Sequence, residues 1–104
     1  MKPLIPVYIH ARLISNDKSY DGIIGNVSEY GAYVEIEGAK TALPFMPGTK
    51  VELKFQAFSK QTIKLPCEVI WLYTKKNSPN NLINSLGLEI INPSAKYEKF
   101  FKTL

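Results

Sequence analysis

Apolar and polar residues alternate position by position through most of this chain, and that period of two leaves little room for anything but strands. Val7, Ile9, Ala11 and Leu13 fall on one face of a run whose other face carries Tyr8, His10 and Arg12. Ala32, Val34 and Ile36 alternate with Tyr33, Glu35 and Glu37. Val51, Leu53, Phe55 and Ala57 alternate with Lys50, Glu52, Lys54 and Gln56. A strand sends successive side chains to opposite faces, so each run reads as a strand with one buried face. A second strand, Tyr20 to about Val27, follows the hairpin formers Ser15-Asn16-Asp17-Lys18.

The remaining runs follow the same logic with local interruptions. Ile63, Leu65, Cys67, Val69, Trp71 and Tyr73 share the inward phase of a fifth strand, in which Pro66 argues for an edge position or a bulge. A longer connection from Gly38 to Thr49 holds the Pro/Gly turn Pro44-Phe45-Met46-Pro47-Gly48, with Phe45 and Met46 as buried anchors. Lys75 to Asn84 is polar and rich in turn formers, which predicts a mobile hairpin loop before a short sixth strand, Leu86 to Ile91. Asn92-Pro93 is a helix start signal, with Asn as the cap and Pro at the first helical position. Tyr97, Phe100, Phe101 and Leu104 then recur at helical spacing, with Lys96, Lys99 and Lys102 on the opposite, solvated side. A helix this short must dock on the sheet to persist. The predicted fold is all-β: a six-stranded antiparallel barrel, Greek-key or up-and-down, capped by one C-terminal α-helix. Closing the sheet would also remove its exposed edges. The barrel is expected over about 5–91 and the helix over about 93–103, in one domain of residues 1–104.

At 104 residues, with 45% apolar and 12% aromatic residues, the chain can bury one modest core without staples. Its single cysteine, Cys67, excludes an internal disulfide. No apolar run reaches the length of a membrane span or a signal segment, so the expected location is cytoplasmic. The net charge is +4, from 13 basic and 9 acidic residues, and Arg12 is the sole arginine. Lysine offers a point charge where arginine offers a planar fork, so this surface suits an anionic partner without resembling a nucleic-acid site.

Signatures of catalysis are missing. The sequence holds no phosphate-binding loop, dinucleotide fingerprint, CxxC, HExxH or GxSxG. His10 is the only histidine, Cys67 falls on an inward phase, and Glu35, Glu37, Glu52, Glu68 and Glu89 are scattered singly over outward positions. Asn26-Val27-Ser28 matches a glycosylation sequon, but nothing suggests secretion. No enzyme, metal or cofactor is expected.

The stretch Gly25-Asn26-Val27-Ser28-Glu29-Tyr30-Gly31 stands between two strand-like runs. Asn and Ser bond readily to nearby backbone, and Gly accepts conformations closed to other residues, so a tight turn accounts for the pattern. The alternative is that polar groups left over from the turn face a ligand.

Asn26, Ser28 and Gly31 match Asp/Asn-x-Ser-x-x-Gly, and Ser28-Glu29-Tyr30-Gly31-Ala32-Tyr33-Val34 resembles the strand entry that follows it in the PilZ domain family. Pro47-Gly48-Thr49-Lys50-Val51-Glu52-Leu53, Glu68-Val69-Ile70-Trp71 and Leu86-Gly87-Leu88-Glu89-Ile90 resemble three further stretches of the same family in the same order. The resemblance implies a small barrel that serves as a receptor for the bacterial second messenger cyclic di-GMP, with Asn26, Ser28 and Gly31 at the ligand and no cofactor. Family members that bind this dinucleotide also carry Arg-x-x-x-Arg just before the first strand. Here that region reads Met1-Lys2-Pro3-Leu4-Ile5-Pro6, where Lys2 offers at most a weak basic contribution. Two readings stay open. The chain is a regulatory module that binds cyclic di-GMP weakly, or only with arginines supplied upstream. Alternatively it is a degenerate module that has lost the ligand and docks on a protein partner or an attached domain, using aromatics such as Tyr30 and Phe45. Neither reading involves nucleic acid or a membrane span.

Overall fold

A computed structural model describes residues 4–104. Six strands, β1 (Ile5–Ser15), β2 (Lys18–Ser28), β3 (Gly31–Ala39), β4 (Lys50–Gln56), β5 (Thr62–Ser78) and β6 (Asn81–Ile90), precede one helix, α1 (Ala95–Lys102). Every neighbouring pair is antiparallel, and the order β1-β2-β3-β6-β5-β4 closes on itself through β1 and β4. β4 returns to lie beside β1 after the consecutive strands β1, β2 and β3, giving the spatial order β4-β1-β2-β3, so the connection is a Greek key and not up-and-down. Ring closure pairs the long strand ladders and leaves none of the six strands as a free edge.

The period-two faces set the interior. Ala11 and Leu13 of β1 pair with Phe55 and Leu53 of β4, Leu53 pairs in turn with Leu65 of β5, and Cys67 and Val69 of β5 pair with Ile90 and Leu88 of β6, all buried. Turn chemistry agrees with the pattern at β1–β2, where Asn16 and Asp17 take φ of 48° and 68°. Two-residue hairpins of the primed kind need positive φ, which Asn and Asp tolerate. Pro66 sits where β6 has ended. Its carbonyl accepts a hydrogen bond from Ile91 N at 2.8 Å, so its missing N–H falls past the last β6 residue and costs the ladder nothing.

Four expectations need correction. Residues 75–84 are not a loop: β5 runs to Ser78 and β6 starts at Asn81, leaving Pro79-Asn80 as the turn. The tract is polar, but its partner strands hold it, since Glu37 and Ala39 of β3 pair with Ile83 and Leu82 on the far side of β6. Trp71 and Tyr73 face outward, 43% and 62% exposed, because Ile70 is an extra residue in β5. The bulge flips the phase, and Leu72 takes the inward place opposite Leu86. Met46 is exposed, and the loop anchors are Leu43 and Phe45, the latter edge-on to Tyr20 at 5.5 Å.

The helix also starts later than Asn92-Pro93 suggests. Asn92 adopts φ of 50°, and the cap is Ser94, whose side chain accepts from Tyr97 N at 3.2 Å. Tyr97 and Phe100 are buried, Phe101 is half-buried, and Leu104 is exposed beyond the Thr103 cap. Phe100 packs on Phe55 with ring centroids 5.3 Å apart, which seats α1 against the ring. The lysines at 96, 99 and 102 are all exposed, as the spacing predicts. Among the described residues no helix is long and apolar enough to cross a membrane.

Candidate functional site

β2 carries the motif as strand almost to its end. Ser28 pairs directly with Gly31, so the turn proper is only Glu29-Tyr30. Gly25 is an extra residue between Ile24 and Asn26 in the β2–β3 ladder, and this bulge lets both Ile24 and Val27 face the core. Asn26 and Ser28, on either side of buried Val27, therefore share the outer face, both half-buried. The structure brings Asn26, Ser28 and Gly31 together on one outward corner. Lys2 lies outside the described residues.

Gly31 is tightly enclosed. A Cβ there would lie 3.1 Å from Ser28 Oγ and 3.3 Å from the Leu88 carbonyl, closer than a strand comfortably allows. The carbonyl of Ser28 accepts a hydrogen bond of 2.6 Å from the Tyr97 hydroxyl of α1. Burial pushes the Tyr97 phenol well above its ordinary range, with Cys67 adding to the shift, so it stays protonated and keeps donating. The helix is thus tied directly to the turn that carries the motif.

Cross-strand pairing extends the corner around the ring. Asn26 is opposite Tyr33, Tyr33 opposite Gly87, and Gly87 opposite Trp71, all on the outer face. Gly87 exists here for the indole. A Cβ on it would fall 2.1 Å from Trp71 Nε1, so only glycine lets the ring lie flat across β6. Tyr33 and Trp71 stand 5.8 Å apart, tilted by 44°, and Tyr33 donates to Ser85 Oγ at 3.1 Å. Together they form an aromatic floor beside Asn26. Sequence reasoning missed both, because it placed Trp71 in the core; the signal was Gly87, a strand glycine opposite an aromatic.

The next row has a different charge character. Gly31 is opposite Glu89, Glu89 opposite Glu68, and Glu68 opposite Lys50, which bridges to Glu68. Two carboxylates side by side favour cations. The sole arginine is remote: Arg12 sits on the outer face of β1, 3.4 Å from Asp21. The corner offers hydrogen bonds and an aromatic surface, with no guanidinium among the described residues. No group of three or more His, Cys, Asp or Glu among them is placed to hold a metal. Cys67 is buried in the ring and its thiol is pushed up to about 12 by burial, which leaves it a core residue and not a nucleophile.

Comparison with known proteins bears on the same residues. The family model for the PilZ domain matches residues 2–104. Among solved structures, the Bacillus subtilis inhibitor of motility (MotI/DgrA) superposes with a TM-score of 0.73 at 14% identity, over 99% of this chain and 50% of that one. The PilZ domain with c-di-GMP of YcgR from Escherichia coli superposes with a TM-score of 0.74 at 12% identity, over 97% of this chain and 84% of that one. The chain therefore spans half the length of the motility inhibitor. No curated protein matches the sequence.

Proposed function

Since this chain belongs to the PilZ domain family, we propose that it is a regulatory module of bacterial cyclic di-GMP signalling, a binding protein and not an enzyme. The observation that carries the reading is the outward corner itself: Asn26, Ser28 and Gly31 converge there beside the Tyr33–Trp71 floor. A guanine edge presents donors and acceptors that an amide, a hydroxyl and strand backbone complement, and an aromatic floor suits its face. Tyr97 gives the corner a mechanical consequence. A ligand that displaces the Ser28–Gly31 turn would act on the carbonyl that α1 holds, and so on the helix.

The dinucleotide also carries two phosphates, and these the described corner does not neutralise. Charge-assisted contacts contribute about 1.5–3 kcal/mol each, so a site lacking two of them binds about a hundredfold more weakly or worse. Binding by this chain is accordingly weak, or requires arginines supplied from outside the described residues. The Glu89–Glu68 row favours a second reading, in which the domain has lost the ligand and works through protein contacts. Phe45 plays no part in that reading because it is buried, whereas Tyr30, Ile70, Trp71 and Tyr73 are exposed.

Isothermal titration of cyclic di-GMP into the chain at low salt separates the two. Low-micromolar binding that disappears in Asn26→Ala or Ser28→Ala establishes a receptor that works without the arginine pair. Absence of heat, repeated on the full native gene product, leaves the interaction module standing.

A further inference from the structure

A second feature lies across the ring from the motif. The β4–β5 hairpin tip and α1 enclose a shallow cleft of about 350 Å³. Its floor is Phe100, Ile63 and Ala57, and its lip is Phe58, which is 73% exposed yet lies 6.0 Å from the Phe100 ring. A phenylalanine so exposed at a hairpin tip gains little from folding, and its contact with Phe100 extends an apolar strip from the core to the surface.

The rim has one sign. Lys96 and Lys99 of α1 line the cleft, and no acidic residue does. Lys60 stands in the same tip, at φ of 69°. Below it the outer face carries Arg12, Lys54 and Lys64 as direct cross-strand partners on β1, β4 and β5. Like charges placed opposite one another oppose folding, so this row is an electrostatic cost that an acidic partner would relieve. Arg12 has Asp21 beside it, but Lys54, Lys60, Lys64, Lys96 and Lys99 form no ion pair among the described residues.

We propose that the cleft between the β4–β5 tip and α1 docks an acidic protein segment that inserts an aromatic or aliphatic side chain against Phe58 and Phe100. An apolar anchor would fill the pocket, and carboxylates flanking it would meet Lys60, Lys96 and Lys99, the arrangement of a hot spot inside a charged rim. The inference stands whether or not the motif corner holds cyclic di-GMP, because it uses none of the same residues.

The test is selection from a displayed library of random peptides of about 12 residues, long enough for about three helical turns. The bait is the 104-residue chain, and the library is counter-selected on a Phe58→Ala chain. The expected winners are acidic peptides with an aromatic or branched aliphatic anchor. Their affinity should fall by at least about tenfold in Lys96→Glu/Lys99→Glu and in Phe58→Ala, and weaken with salt. These positions are exposed, so the variants should unfold at the parent's temperature, which circular dichroism checks. Enrichment of neutral or basic peptides overturns the proposal, as does no enrichment, or binding indifferent to all three substitutions. Tighter binding to phosphatidylserine vesicles than to any selected peptide, lost in the same variants, overturns it in favour of a lipid surface.

Discussion

Replacing Gly87 with alanine tests the aromatic floor directly. The new Cβ would meet Trp71 at 2.1 Å from Nε1, 2.4 Å from Cε2 and 2.7 Å from Cδ1. No rotation of a flexible tip relieves three contacts to a rigid indole, so the ring must lift. Trp71 is 43% exposed, and a little over half of the roughly 250 Å² of a tryptophan is covered, an upper bound of about 3.5 kcal/mol at about 25 cal/mol/Å². Losing a third to a half of that cover costs about 1–2 kcal/mol, within the range seen for overpacking. Trp71 is the only tryptophan, so its emission reports the displacement without a label, as a red shift in the folded state. Urea unfolding measures the loss. The control is Gly87→Ala in a Trp71→Ala background, where the three indole atoms nearest the Cβ are gone. Gly87 has no positive φ, so alanine there should be neutral or stabilise by about 0.4–1 kcal/mol, through the unfolded chain. Equal destabilisation in both backgrounds, or an unchanged emission maximum, would refute the packing argument.

Three further outcomes follow from the helix and the core. Tyr97→Phe keeps the ring but removes the 2.6 Å bond to the Ser28 carbonyl, so urea unfolding should show a loss of about 1–2 kcal/mol and amide exchange should quicken at residues 29–31; unchanged exchange would mean that the helix does not hold the turn. Ser94→Ala should cost about 1 kcal/mol and lower helical ellipticity, whereas Asn92→Ala should not act through the cap. Alkaline pH should destabilise the protein. Burial raises Cys67 from 9.0 to about 12 and raises Tyr97 from 10.0, so both ionise more readily when unfolded. Their contribution is intact below about pH 9 and falls by about 1.4 kcal/mol per pH unit for each group above its unfolded value. Cys67→Val should remove the part that begins near pH 9, and a stability flat from pH 8 to 11 would contradict the burial of both groups.

Period two was enough to place the inward faces of β1, β3 and β4, because β4 is uninterrupted and the irregularities of β1, between Pro6 and Ile9, and of β3, between Glu37 and Ala39, lie toward the strand ends. It failed where a single residue is inserted in mid-strand. Ile70 turns Trp71 and Tyr73 outward, and Gly25 keeps Asn26 outward while Val27 goes in. A bulge changes no residue's preference and so leaves only faint marks, here a glycine in β2 and one opposite Trp71. Composition failed at residues 75–84 for another reason. Polar residues in a ring are held by strands on both sides, and Asn84 is fully buried with Thr74 donating to its Oδ1 at 2.7 Å. The cap was misplaced by two residues because Asn92 prefers, as Asn can, the left-handed conformation that ends a strand. The three motif residues were singled out by resemblance to a family pattern, and they lie at one outward corner. The aromatic floor beside them was missed, since it is assembled from three strands far apart in sequence.

The net charge of +4 acquires a different meaning once the residues are placed. As a sum it favours an anionic ligand anywhere on the surface. In the structure the charges are sorted: Lys54, Lys60, Lys64, Lys96 and Lys99 gather on the β4, β5 and α1 side, and Glu89 and Glu68 stand in the row next to Gly31. Coulomb attraction between exposed charges fades over about 10 Å at 0.1 M salt, so lysines across the ring lend little to an anion at the motif corner. Positive charge is therefore no argument for the dinucleotide at Asn26 and Ser28. It is an argument for an acidic partner on the opposite side. α1 touches both places, holding Ser28 through Tyr97 and lining the cleft through Lys96, Lys99 and Phe100. A helix of eight residues is short enough that movement at one end is movement at the other. Whatever occupies either side, the element through which they would communicate is the same.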